Sequence, residues 1–111
     1  MLRFDPYLIR RSIRLAVQRF RRGWDDSETW SLDYTTACFM LPRLRRFREI
    51  RKSYPNGLTS EEWDAILDEM IFAMNYIVRC ENEWVSYDQD EAERVQKGLE
   101  LFGEHFRNLW S

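Results

Sequence analysis

A long amphipathic helical pattern begins at residue 59 and dominates the sequence. Thr59 and Glu62 have the spacing of a capping box, in which two side chains satisfy backbone N–H groups at the start of a helix. Leu58 and Trp63 have the spacing of the hydrophobic staple that accompanies such a start. One apolar face follows at helical spacing, made of Trp63, Ile66, Leu67, Met70, Met74, Ile77 and Val78. Phe72 and Tyr76 fall on the opposite side, so the pattern predicts a helix that is either central in the fold or part of an interface.

A first helix is predicted between about residues 6 and 22. Asp5 is a cap candidate, Pro6 suits the first helical position, and Gly23 is typical of the residue just past a helix end. Its apolar stripe consists of Ile9, Ile13, Ala16, Val17 and Phe20. On a different face lie Arg10, Arg14 and Arg21, with Arg11 and Arg22 beside them.

The second helical region is predicted from about Thr29 to Lys52, and Pro42 interrupts it. Proline lacks a backbone N–H and crowds the preceding turn, so we expect a kink or a fresh helix start there. The inner face of this region is formed by Ala37, Met40, Leu44 and Phe47. Asp33 lies four residues before Ala37 and is therefore predicted to face the core.

A last helix is predicted after Asp88, with Glu91 at capping-box spacing. Its apolar stripe comprises Ala92, Val95, Leu99, Phe102, Phe106 and Leu109. The patterns together predict an all-α fold, a compact bundle of four to five helices with a break near Pro42. With 111 residues we expect a single helical domain over residues 1–111.

The composition predicts a cytoplasmic protein with no membrane partner. No stretch approaches the roughly 20 apolar residues of a spanning helix, and arginines interrupt the apolar run where a signal peptide would need it. Cys38 and Cys80 lie on apolar helix faces without CxxC spacing. We expect them to be reduced thiols of the core rather than a disulfide or zinc ligands.

Charge is distributed unevenly along the chain. Residues 1–52 contain 13 Lys or Arg against 6 Asp or Glu, whereas residues 53–111 contain 4 against 13. In one interpretation the two halves neutralise each other, within a chain or across a dimer. In the other, an anionic partner binds the arginines, for which the candidates are Arg10, Arg14, Arg21, Arg43, Arg46 and Arg48. No nucleic-acid-binding motif accompanies them, so nucleic acid is the less favoured partner.

Catalytic patterns are sparse, which favours a non-enzymatic protein. His105 is the only histidine, we expect it to be solvated, and no catalytic residue or cofactor is predicted. Glu61, Asp64 and Asp68 share a helix face and could hold a magnesium ion, as in small all-α nucleotide pyrophosphatases. That face points away from the apolar stripe, and the paired-glutamate pattern of those enzymes is matched only at Glu61, Glu62 and loosely Asp64. We predict no metal site.

Two groups of residues are candidates for contacts with partners. Asp33 needs a cation, a cap or water if it faces the core, and Trp24 and Trp30 flank it. These tryptophans either pack the start of the helix or form an aromatic wall beside a ligand. Phe72 and Tyr76 lie opposite the stripe of the third helix, and Leu101 lies opposite that of the fourth. We assign these three to an interface and expect a homo-oligomer.

Two segments resemble a pattern found in small hypothetical proteins of tailed bacteriophages. The first runs Arg22-Gly23-Trp24-Asp25-Asp26-Ser27-Glu28-Thr29-Trp30-Ser31-Leu32-Asp33 and continues at Pro42-Arg43-Leu44. The second runs Tyr54-Pro55-Asn56-Gly57-Leu58-Thr59-Ser60-Glu61-Glu62-Trp63-Asp64. The resemblance covers residues 22–74 and transfers no catalytic residue. It implies expression in the cytoplasm of an infected bacterium.

The function hypothesis is a non-enzymatic phage-encoded binding protein that associates stoichiometrically with a host protein or a nucleotide signal. Its role would be to antagonise a host factor or a defence pathway. The candidate binding residues are Arg10, Arg14, Arg21, Trp24, Trp30 and Asp33. The alternatives are a small metal-dependent nucleotide hydrolase and an arginine-rich accessory protein that binds nucleic acid.

Overall fold

The computed structural model describes residues 5–110, and this part of the chain is helical without any strand. Four α-helices follow one another as α1 (Pro6–Arg22), α2 (Leu32–Ile50), α3 (Ser60–Asn82) and α4 (Gln89–His105). A short 3-10 helix, Asp26–Thr29, precedes α2, and a second, Phe106–Asn108, follows α4. The all-α prediction is confirmed. No helix in residues 5–110 is long and apolar enough to cross a membrane.

The predicted helix boundaries are confirmed where local capping determines them. The Asp5 side chain accepts a hydrogen bond from the Tyr7 amide at 3.0 Å, and Gly23 ends α1 with a φ of +83°, which favours glycine. At the start of α3, Thr59 Oγ1 accepts from the Glu62 amide at 3.1 Å, and Glu62 accepts from the Thr59 amide at 3.0 Å. Asp88 caps α4 by accepting from the amide of Glu91.

The described residues form two compact units that divide within the first turn of α2. The N-terminal unit extends to Thr35 and comprises α1, the first 3-10 helix and the start of α2. The C-terminal unit begins at Thr36 and contains the rest of α2, α3, α4 and the second 3-10 helix.

The buried core belongs to the C-terminal unit. Its buried cluster consists of Ala37, Leu41 and Leu44 from α2 and Trp63, Leu67, Met70 and Met74 from α3. Partly buried side chains of α4 and of the segment after it, Leu99, Phe102 and Leu109, pack against this cluster. Phe106, which the sequence assigns to the same stripe, is exposed. The predicted face of α3 is confirmed, and α3 supplies the centre of this unit.

Helices α3 and α4 approach closely at Gly98. A Cβ atom at this position would lie 2.8 Å from Cβ of Ala73 and would also collide with the backbone carbonyl of Glu69. Gly98 is buried, and Ala73 is fully buried opposite it. The small side chains therefore allow the two helix backbones to come together.

Pro42 does not break α2, which continues from Leu32 to Ile50. The prediction of a fresh helix start is wrong. Pro42 is exposed, whereas Leu41 and Leu44 on either side of it are buried. Packing of these leucines compensates for the missing N–H and for the crowding of the preceding turn, which cost about 3 kcal/mol in a helix interior.

Both cysteines are exposed, so the prediction of core thiols is wrong. Cys38 follows the buried Ala37 by one position, which is a rotation of about 100° around a helix. Cys80 lies one turn after Tyr76, which is outside the buried stripe of α3. Each cysteine therefore faces away from the buried face of its helix.

Candidate functional site

The first 3-10 helix is tied to α1 by a network of polar side chains. Asp25 is the only buried polar residue among those described, with 3% of its surface exposed. Its carboxylate accepts from the Ser27 amide at 2.9 Å and from the Ser27 hydroxyl, and it forms an ion pair with Arg19. The amide of Asp25 donates to Glu28 Oε2 at 2.7 Å, which completes a capping box. Hydrogen bonds from Ser27 and Arg19 hold the pKa of the Asp25 carboxyl below its usual value.

Asp26 forms the second half of this network. Gln18 Nε2 donates to Asp26 Oδ2, and the Asp26 amide donates to Gln18 Oε1, both at 2.7 Å. Arg22 Nη2 lies 2.7 Å from Asp26 Oδ1. The hydrogen bonds from Gln18 and Arg22 lower the pKa of the Asp26 carboxyl. The side of α1 that the 3-10 helix covers is therefore polar.

The tryptophans of the N-terminal unit remain exposed beside this network. The guanidinium of Arg22 lies 3.7 Å from the ring centroid of Trp24, and that of Arg11 lies 4.3 Å from the centroid of Trp30. A cleft of about 310 Å³ with an almost wholly apolar wall opens next to them. It is lined by Trp24, Glu28, Thr29, Leu32 and Thr35. The cleft has room for one bulky apolar side chain of a partner.

Three of the candidate arginines lie exposed on α1. Arg10, Arg14 and Arg21 form no hydrogen bond or ion pair with any residue between 5 and 110. Arg10 and Arg14 line a shallow groove of about 200 Å³ with Tyr7 and Arg11. These are the arginines of α1 that the sequence assigns to binding, and the charge of Arg14 also contributes to the lowered pKa of the Asp26 carboxyl.

The other candidate arginines, on α2, have partners inside the chain. Arg43 donates to the backbone oxygen of Phe39, and Arg46 pairs with Glu49 at 3.1 Å. Arg48 Nε lies 2.6 Å from Asp68 Oδ1, and this carboxylate raises the pKa of the Arg48 guanidinium. The interpretation that the basic and acidic halves neutralise each other therefore holds for Arg48.

Asp64, on the acidic face of α3, is likewise paired with an arginine, which lies just after the end of α2. Arg51 Nε donates to Asp64 Oδ1 at 2.9 Å, and this contact lowers the pKa of the Asp64 carboxyl. Arg51 also donates to the backbone and the hydroxyl of Ser60. Within residues 5–110 no group of three potential ligand side chains is arranged to hold a metal ion.

Asp33 does not face the core. It lies exposed in the first turn of α2, where the helix dipole favours a negative charge. The buried face of α2 begins only at Ala37, so the prediction of a core-facing acid is wrong. Its assignment to a binding site remains a prediction.

The predicted interface residues are half-buried within the C-terminal unit. The Arg94 guanidinium of α4 lies 3.7 Å from the ring centroid of Phe72, and Glu69 holds it through two hydrogen bonds of 2.9 and 3.0 Å. Burial raises the pKa of the Tyr76 hydroxyl. Leu101 is half-buried on α4. An arginine of α4 therefore covers part of the surface assigned to an interface.

A second cleft was not anticipated from the sequence. It measures about 310 Å³ and is lined by Ser53, Tyr54, Pro55, Asn56, Trp63, Asn108 and Trp110. His105 packs beside it with its ring centroid 5.5 Å from that of Trp63, and its Nδ1 lies 3.3 Å from Asn108 Nδ2. His105 is mostly buried rather than solvated. Its helical spacing from Leu101 and Phe102, both half-buried, is the signal that could have shown this.

Comparisons with known proteins do not identify a relative. No protein-family model matches this chain, and no curated protein or solved structure is significantly similar to it.

Proposed function

We propose that this chain is a non-enzymatic binding protein that associates stoichiometrically with a protein partner through its N-terminal unit. The observation that supports this is the arrangement of that unit. The carboxylates of Asp25 and Asp26 are bonded to side chains of α1, whereas the aromatic side chains are exposed. Trp24 and Leu32 line the apolar cleft, and both are exposed, as is Trp30. Hot spots of protein interfaces consist of aromatic residues with neighbouring arginines, which is the composition found here.

The resemblance to small proteins of tailed bacteriophages supports a setting for this binding. In that setting the chain is phage-encoded, it acts in the cytoplasm of the host bacterium, and its partner is a host factor or a component of a defence pathway. A nucleotide signal is a second candidate ligand, because Arg10, Arg14 and Arg21 form no hydrogen bond or ion pair within the described part of the chain, residues 5–110.

The alternatives have less support. A metal-dependent hydrolase needs carboxylates that are available to a cation, whereas Asp64 is paired with Arg51 and Asp68 with Arg48. A nucleic-acid-binding protein would use the arginines of α1, but no nucleic-acid-binding motif accompanies them.

The test is a pull-down from lysate of the bacterial host, followed by native mass spectrometry of the retained complex. We expect one partner in fixed stoichiometry with the parent chain. Leu32→Ser together with Trp24→Ala should abolish its retention, because these side chains line the cleft. Trp84→Ala is the matched control, since Trp84 is 94% exposed in the other unit. Loss of the partner in the Trp84 variant but not in the cleft variant would contradict the proposal.

A further inference from the structure

The apolar stripe of α1 is uncovered within its own unit. No residue of α1 is buried; Ile13 is 58% exposed and Phe20 is 92% exposed. Successive residues rotate by about 100° around a helix, so this stripe lies opposite the side that carries Arg11, Gln18 and Arg22. That opposite side is the one that contacts the first 3-10 helix. The unit therefore covers the polar side of α1 and leaves the apolar side open.

The charges of α1 are all of one sign. Its 17 residues include six arginines and no acidic residue. By the same rotation, Arg10, Arg14 and Arg21 form a row along one edge of the apolar stripe. These three arginines form no hydrogen bond or ion pair within residues 5–110, although the charge of Arg14 acts on Asp26. An open apolar stripe bordered by a row of guanidinium groups is complementary to a surface that is both apolar and negatively charged.

We infer that α1 binds the surface of an anionic lipid bilayer and lies parallel to its plane. The apolar stripe would enter the boundary between headgroups and acyl chains to a depth of about 5–10 Å. Arg10, Arg14 and Arg21 would pair with lipid phosphates at the edge of the stripe. Tyr7, exposed near the start of the helix, has an amphipathic ring of the kind that favours the headgroup region. This inference concerns a different face from the cleft and does not depend on the proposed function.

Two other occupants fit the observations less well. A second α1 would bring two sets of six arginines together without any acid between them, which costs electrostatic energy. Nucleic acid would pair with the arginines and leave the apolar stripe in water. The prediction of no membrane partner depended on the absence of a spanning segment, and a helix that lies on the surface needs none.

The test is sedimentation of the full chain with vesicles of phosphatidylcholine alone or mixed with phosphatidylglycerol. We expect binding to the anionic vesicles, weaker binding at high salt, and none to phosphatidylcholine alone. Arg10→Gln, Arg14→Gln and Arg21→Gln together should weaken binding about 100-fold, since each basic residue near the surface contributes about fivefold. The matched control changes Arg43, Arg45 and Arg46 to Gln, which removes the same charge from exposed positions of α2. It should weaken binding by less than about fivefold.

A second pair of variants separates the apolar contribution from the charge. Ile13→Ser with Phe20→Ser should weaken vesicle binding at least about tenfold, whereas Phe39→Ser with Phe106→Ser, at exposed positions elsewhere, should not. Circular dichroism establishes that each variant is folded. The inference is overturned if anionic vesicles are not bound at low salt, or if both serine variants bind them equally. It is also overturned if light scattering shows that Ile13→Ser with Phe20→Ser dissociates a dimer, because the stripe would then lie between copies.

Discussion

Asp25 and Asp26 are the residues whose ionisation matters most for the N-terminal unit. Both carboxyls have a pKa below the usual value in the folded state. Ser27 and Arg19 donate hydrogen bonds to Asp25, and Gln18 and Arg22 donate hydrogen bonds to Asp26. A lowered folded-state pKa contributes stability above the pKa of the unfolded chain, and this stability is lost as the pH falls through the folded-state pKa. The unit should therefore loosen in acid, below about pH 4.

The measurement is the protection of the Ser27 amide from hydrogen exchange, because this amide donates to Asp25. We expect its protection factor to fall below about pH 4 in the parent. Asp25→Asn should lower protection already at neutral pH and flatten the acid dependence. Asp33→Asn is the control, since Asp33 is exposed; it should change stability by at most about 1 kcal/mol through the helix dipole. If Asp25→Asn leaves the pH dependence of the protection factor unchanged, the network does not stabilise the unit.

The contact between α3 and α4 depends on the absence of a side chain at Gly98. Gly98→Ala should destabilise the protein by about 1–3 kcal/mol, because the new Cβ would meet Ala73 and the backbone of Glu69. Gly103→Ala on the same helix has no atom within 4 Å of the added Cβ. It should stabilise by about 0.5–1 kcal/mol through helix propensity. Chemical denaturation of both variants measures the difference, and equal effects would show that the helices can separate without cost.

For the molecule as a whole we expect self-association, because large aromatic residues remain exposed in the C-terminal unit, among them Trp84, Tyr87 and Trp110. Light scattering should report a dimer in the micromolar range, and Phe72→Glu should weaken it if the assigned interface is used. Phe39→Glu is the matched control, since Phe39 also lies 3.7 Å beneath an arginine, Arg43. A monomer at all these concentrations, or equal weakening by both variants, would contradict the assignment.

The sequence determined the helices and most of their boundaries, because caps act within one turn. Asp5 and Gly23 set the limits of α1, and Thr59 and Asp88 set the starts of α3 and α4. The buried face of α3 also followed from its sequence, since helical spacing alone places those side chains together. Arg10, Arg14 and Arg21 were singled out as a charged face for the same reason.

Only the tertiary structure decided which faces are covered and which charges are paired. The stripes of α1 and α3 look alike as patterns, yet α3 has a buried core against it and α1 has no buried residue. Asp33 and Cys38 are exposed because the core packs against the side of α2 that carries Ala37 and Leu44, and neither residue belongs to that buried cluster. Arg48 of α2 and Arg51 just after it pair with acids of α3, whereas Arg10, Arg14 and Arg21 of α1 form no ion pair within residues 5–110. Burial and ion pairing depend on residues that are distant in sequence. Helical spacing does not determine which of these residues packs against a given face of a helix.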